Sequence, residues 1–361
     1  MTPGLPARPE PPIGTRPPAG VTPGRPARPE PPIGTLPPRD VARSTSASDV
    51  AESRCAENDQ DPAEARNDRR QPEVDCLAQN VPVPLTPGRD LVPVSKWNSW
   101  VNGQVTAVQD RRYDLDSDTV VGTLTAGIDR MVNERVSVGF SVALNSYGVR
   151  AFDDTLRADA TGFTAGPYAA VRLNEHWALS NSLTYGLTEN QLSISVLDGS
   201  YETHQVAASF ELNGQYTVHG IFVRPKISTS LTYFYNTAYD LSGTTLAGRE
   251  ITSPTPASDD VYGIVTASAE FSRLFALANG DVFMPFVRVG VDYEYLRPGD
   301  GAILTGELAL ATPEPWAGTV ELGARAVINK NLLISARGAY RSIGQPNFDV
   351  WEAELMASFS F

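Results

Sequence analysis

From Trp97 to the end of the chain, apolar and polar residues alternate almost one for one. Neighbouring side chains of an extended strand point to opposite faces, so this pattern predicts strands with one apolar and one polar face. The last segment is the clearest case. Trp351, Ala353, Leu355, Ala357, Phe359 and Phe361 share one face, and Glu352, Glu354, Met356, Ser358 and Ser360 share the other. The same division separates Val136, Val138, Phe140, Val142 and Leu144 from Ser137, Ser141 and Asn145. It recurs in the segments that begin at Trp177, Val206, Ile221, Phe283, Trp316 and Leu332, and more weakly near 97–108, 118–130, 158–172 and 259–274. Twelve strands result.

The connections also alternate. Five are tight (131–135, 174–176, 219–220, 276–281 and 329–331), and six are mostly longer and carry acidic, Pro or Gly residues (109–117, 149–157, 191–200, 237–258, 297–312 and 343–348). Twelve strands with both ends on the short-turn side need five turns and six loops. The fold expected is therefore all-β: a twelve-stranded antiparallel up-and-down barrel. Strands of about 11–16 residues suit a tilted crossing of a bilayer core about 30 Å thick better than they suit a water-soluble sandwich, the competing architecture. Trp97, Trp100, Trp177, Tyr233, Tyr235, Tyr293, Tyr295, Trp316 and Trp351 lie near strand ends, as interfacial girdles require. The apolar face is thus predicted to meet lipid. The polar face carries Asp129, Arg172, Glu211, Arg224, Lys226, Glu270, Arg288, Asp292, Glu321, Arg325, Arg337, Arg341 and Glu352, which are predicted to line a lumen. Structural ion pairs between neighbouring strands are the plainer role for the same residues.

The first 96 residues are different. Residues 2–21 and 22–41 form a tandem 20-residue duplication, TPGLPARPEPPIGTRPPAGV followed by TPGRPARPEPPIGTLPPRDV, with few mismatches. Each copy has one Ile and many Pro, so it has no apolar face to stack as a solenoid. Polyproline II fits: 40 such residues at about 3.1 Å each make a spacer roughly 120 Å long. Residues 42–96 are polar and mixed in charge to 80, then broken by Pro, and are expected to be a disordered linker. Cys55 and Cys76, the chain's 2 Cys, lie within it and are a possible disulfide in an oxidising compartment.

Charge narrows the function. The chain has 29 basic and 42 acidic residues, a net −13, which argues against a nucleic-acid partner. The excess belongs to the part after Trp97, which holds 17 basic and 29 acidic residues. Three His and two Cys offer little to a metal site, and no cofactor is expected. No run approaches 18 apolar residues, so no membrane helix is expected. His204, beside the 191–200 loop and Asp198, is the one candidate for rim chemistry, but its parity with Val206 places it on the apolar face. No GxSxG, HExxH or P-loop is present, so an enzyme is not expected.

The strand count over about 265 residues, the opening strand WNSWVNGQV, the hairpin GTLTAGIDRMVNERVSVGFSV and the closing strand WEAELMASFSF together resemble the autotransporter β-barrel. This is the C-terminal translocator domain of type V secretion in Gram-negative bacteria. The resemblance implies a monomeric outer-membrane barrel among lipid and lipopolysaccharide, with both barrel ends periplasmic and the long loops extracellular. It implies a passenger upstream that the barrel helps to export. It also implies that the barrel-assembly machinery reads the last strand through Trp351, Leu355, Phe359 and Phe361. The start, Met1-Thr2-Pro3-Gly4, has no basic or apolar leader. The expectation is a piece of a longer product or a short autotransporter whose exported part is a spacer. Family members usually hold a helix in the lumen, which Pro82, Pro84, Pro87 and Pro93 disfavour here. Twelve strands fall between filled eight-stranded and open 16-stranded barrels, so the lumen should pass an extended chain only. A stand-alone porin or a surface adhesin is the alternative.

Overall fold

The computed structural model describes residues 83–361 apart from 87–88, 90, 93–94, 112–115, 246, 278–279 and 298–313. The Pro-rich repeat, the Cys55–Cys76 pairing and most of the 42–96 linker lie outside the described residues. Those residues contain strands and no helix.

In chain order the strands are β1 (Trp97–Asp110), β2 (Ser117–Asn133), β3 (Val136–Ala151), β4 (Leu156–Arg172), β5 (Trp177–Ile194) and β6 (Leu197–Gly214) with its short continuation β7 (Tyr216–Val218). Then come β8 (Ile221–Asn236), a loop hairpin of β9 (Tyr239–Thr244) and β10 (Glu250–Thr255), and β11 (Ser258–Arg273) with its continuation β12 (Phe275–Ala276). The last four are β13 (Val282–Leu296), β14 (Trp316–Ile328), β15 (Leu332–Ile343) and β16 (Phe348–Ser360). Setting aside the continuations and the loop hairpin leaves the twelve expected wall strands.

Each wall strand pairs antiparallel with the next, β6 pairs with β8, and β1 pairs with β16 from Asn98 opposite Ser360 to Asp110 opposite Phe348. Trp97 and Phe361 add a pair of backbone hydrogen bonds, 2.9 and 3.0 Å, at the end of that seam. The wall is closed, so it presents no row of unpaired backbone groups, as hydrocarbon demands. The hairpin between β7 and β8 turns on His219 and Gly220, φ 51° and 73°, the left-handed pair that a two-residue turn matching strand twist needs.

Two expected loops are shorter than the sequence implied. The 191–200 stretch is strand on both sides of a turn at 195–196, because β9 offers backbone partners beyond the wall: Leu197 pairs with Gly243 and Asp198 with Ser242. The 149–157 connection shrinks to four residues, with Phe152, Asp153 and Asp154 in the left-handed region at φ 55°, 52° and 65°.

The two faces separate as predicted. Leu322 is 63% exposed while its neighbour Glu321 is 4% exposed, and Leu355 is 66% exposed beside a half-buried Glu354. Trp100 is the exception among the girdle candidates. It points inward, where its Nε1 donates to the Tyr168 hydroxyl at 2.8 Å. Two glycines make the room: a Cβ on Gly127 would lie 2.6 Å from the Trp100 ring, and one on Gly139 would strike Tyr168. Gly127→Ala is therefore expected to cost about 1–3 kcal/mol. In a Trp100→Ala background the cost should vanish, which a double-mutant cycle on thermal unfolding in detergent would show.

Candidate functional site

The charged residues of the polar face assemble into a ladder of ion pairs on one side of the barrel interior. It begins at Glu270 on β11, which accepts from Arg325 at 2.6 and 2.8 Å, from Arg288 at 2.6 Å and from Arg224 at 3.5 Å. Arg288 reaches on to Glu321 at 2.9 Å, and Glu321 to Arg337 at 2.8 Å. Arg337 holds Glu352 at 2.7 Å and also Glu354. Arg341 joins Glu352 at 3.1 Å to Asp292 at 3.4 Å. Thr266 and Thr319 donate to the two oxygens of Asp292. Arg325 also stacks 4.1 Å above the Phe286 ring, which covers the guanidinium face that no carboxylate occupies.

The pairs reach beyond adjacent strands. Arg325 on β14 crosses β13 to meet Glu270 on β11, and Arg341 on β15 crosses β14 to meet Asp292 on β13. Only side chains pointing into a common interior can do this. The ladder therefore staples β8, β11 and β13–β16 together. The inward positions of β1–β6 are mostly neutral, with Gln104, Thr106, Asn145, Thr164, Thr184 and Gln205 among them. These line, with Asp292, Arg341 and Glu352, a cavity of about 570 Å3. The Glu211–Lys226 pair stands at the junction of the two walls, across β6 and β8.

The remaining two predicted residues lie at the short-turn mouth, and both contact the chain that precedes β1. Asp129 is fully buried and accepts from Arg89 at 2.6 Å, Thr86 at 3.2 Å, Asn98 at 3.1 Å, Ser137 at 3.0 Å and Tyr168 at 3.1 Å. Arg172 donates to the Glu134 carbonyl at 3.0 Å and the Val83 carbonyl at 3.5 Å. Asn98 in turn accepts from Ser358 at 2.7 Å and Ser360 at 3.1 Å, which ties the last strand to the Asp129 cluster.

Arg89, Asn98 and Tyr168 are not singled out by the pattern. Glu354 is on the polar face that periodicity gives the last strand, beside Glu352, but is not among the residues predicted to line the lumen. Arg89 lies in a stretch read as linker, where no periodicity exists to place it. Trp351, Leu355, Phe359 and Phe361 form an exposed stripe on the outside of β16, with the last two rings stacked 5.9 Å apart. His204 bonds Tyr185 at 2.8 Å on the outer wall, and Asp198 is held by Ser193 at 2.5 Å, so the two are not brought together.

Among known families, the model described as Autotransporter beta-domain matches residues 99–339. The chain belongs to the autotransporter β-domain family. Two solved autotransporter domains have the same fold. The translocator domain of autotransporter NalP from Neisseria meningitidis superposes with a TM-score of 0.61 at 14% identity, over 74% of this chain and 89% of that one. The β-domain of the Bordetella autotransporter BrkA superposes with a TM-score of 0.57 at 19% identity, over 74% of this chain and all of that one. No curated protein matches. The autotransporter domain is accordingly an outer-membrane translocator barrel of a Gram-negative bacterium, a secretion and anchoring unit that acts on its own passenger segment as a monomeric barrel.

Proposed function

We propose that this barrel carries the chain ahead of Val83 through its own interior to the cell surface, and then holds it there. The five short turns and both barrel ends face the periplasm, and the longer connections face outward. The exported part includes the Pro-rich repeat, which acts as a stand-off spacer. The charged ladder, from Arg224 and Glu270 to Arg341 and Asp292, lines the path together with the neutral wall, and the barrel performs no catalysis. Paired charges and hydroxyls replace the water lost by a passing polar backbone without gripping any one side chain. The stripe from Trp351 to Phe361 is the feature that the barrel-assembly machinery reads, and lipid and lipopolysaccharide cover the outer face.

The observation that carries this reading is the seating of Val83, Leu85, Thr86, Arg89 and Leu91 against the inner wall at the short-turn mouth of a closed, polar-lined barrel. Labelling intact cells with a membrane-impermeant maleimide, after mild reduction, tests it. Modification of Cys55 or Cys76 without breaching the outer membrane is the expected result. Labelling that requires a permeabilised outer membrane would overturn it.

A further inference from the structure

Inside the barrel, every arginine of the charged ladder meets a carboxylate. Arg224, Arg288 and Arg325 meet Glu270, and Arg337 and Arg341 meet Glu352. The long-loop end of the outer face is similar. Arg111 pairs with Asp116 and Asp118 at 2.8 and 2.9 Å, Arg157 pairs with Asp154 at 3.5 Å, and Arg150 stands opposite Arg157 in the same acidic rim. The short-turn end departs from this. Arg130 on β2 and Arg273 on β11 are the two basic residues that the wall strands place on the outer face there, and both are exposed. Neither guanidinium makes an ion pair or a hydrogen bond among the described residues.

Parity puts both at the lower edge of the apolar belt, Arg130 two residues after the exposed Ile128 and Arg273 two residues after the exposed Phe271. Arg130 lies between Trp97, the first residue of β1, and Val138 on β3. Arg273 lies opposite Ile221, the first residue of β8. Each guanidinium spreads over an aromatic ring. Arg130 stands 5.4 Å from the centre of the Trp97 ring, and Arg273 stands 5.7 Å from that of Phe275. These neighbours are all apolar or aromatic. One face of each guanidinium is therefore shielded, and its N–H groups have no protein acceptor. Near Arg130 the exposed Lys96 and Arg135 outnumber Glu134, the one acid of the β2–β3 turn. The two arginines are six strands apart in a wall of twelve, on opposite sides of the barrel.

We propose that Arg130 on Trp97 and Arg273 on Phe275 are two seats for the phosphodiester of an anionic phospholipid, in the leaflet at the short-turn end. The fork of N–H groups on each guanidinium matches two phosphate oxygens, and the ring beneath it fixes its plane. Ile128 and Val138 at one seat, and Ile221 and Phe271 at the other, meet the acyl chains of the same lipid. A headgroup with net negative charge is preferred to a zwitterionic one. No carboxylate lies beside either arginine to take a cationic headgroup, and Lys96 and Arg135 repel one. Lipids held at two opposite points set the depth and tilt of the barrel in the bilayer.

The assignment to the periplasmic leaflet rests on the orientation proposed above, but the binding test involves neither orientation nor export, so the two fail separately. The purified full chain is placed in detergent micelles that contain equal amounts of phosphatidylglycerol and phosphatidylcholine. Bound lipids are counted by native mass spectrometry. Folding of each variant is checked by the difference in gel mobility between unheated and boiled samples. The wild type is expected to retain two phosphatidylglycerol molecules in preference to phosphatidylcholine. Arg130→Gln and Arg273→Gln should each weaken one of the two sites about fivefold, and the double variant should lose the preference. Arg157→Gln, at the opposite end of the outer wall, should bind as the wild type does. The seats do not exist if the wild type shows no preference or if the folded double variant keeps it. They do not exist either if Arg157→Gln lowers binding as much as Arg130→Gln, because the attraction would then belong to charge in general.

Discussion

Replacing Glu270 by alanine is expected to destabilise the barrel by about 3–5 kcal/mol, the largest single-residue effect in the ladder. Glu270 is 2% exposed and answers three guanidinium groups at once, from Arg224, Arg288 and Arg325. Its removal leaves those charges facing one another in a space that water fills poorly. Their attraction to Glu270 becomes mutual repulsion. Urea titration in detergent micelles, read by gel mobility, measures the loss. Glu211→Ala is the comparison. Its partner Lys226 and Glu211 itself are about a third exposed, and the same titration should register about 1 kcal/mol or less. Equal costs at the two positions would show that the ladder is a set of independent surface pairs rather than a connected brace.

The outer face gives the second large effect. Leu322→Arg, at the middle of β14 on the exposed side, is expected to cost about 2–4 kcal/mol in a lipid bilayer, where a charge near the midplane has no partner. Val132→Arg, near the short-turn end of β2, should cost about 1 kcal/mol or less, because the side chain reaches the interface. Unfolding equilibria in phospholipid vesicles measure both. If Leu322→Arg were neutral, the apolar stripe would not be in contact with hydrocarbon.

How much of this was legible beforehand depends on what kind of signal carried it. The strand count, the closure and the identity of nearly every ladder residue follow from parity. Alternation fixes which face Glu270, Arg288, Glu321 and Arg337 occupy, and a closed wall leaves one interior for them to share. Their partners were not legible, because ladder contacts such as Arg325 with Glu270 skip a strand, and stagger between strands is invisible to a one-dimensional pattern. Residue type misled for aromatic and apolar residues used inside. Trp100 was assigned to a girdle by type and position, yet the glycines opposite it, Gly127 and Gly139, open a slot that takes the indole inward. Phe222, Met284 and Leu333 likewise fill the interior at the short-turn end, a site that polarity alone assigns to hydrophilic residues. The contacts of Thr86 and Arg89 with Asp129 were the least legible feature. Thr86 and Arg89 sit in a Pro-broken stretch with no period, and only the placement of Asp129 gives them meaning.

The account depends on which face of each strand meets lipid, and adjacent positions on β2 test this most directly. Single cysteines are introduced by Thr123→Cys or Leu124→Cys, with Cys55 and Cys76 replaced by serine, and labelled with a small fluorophore. The barrel is then reconstituted with phospholipids that carry a nitroxide on the acyl chain. Strong quenching at position 124 and little at 123 is the predicted result. Quenching at 123 alone, or none at either position, would contradict the assignment of the apolar face to the bilayer.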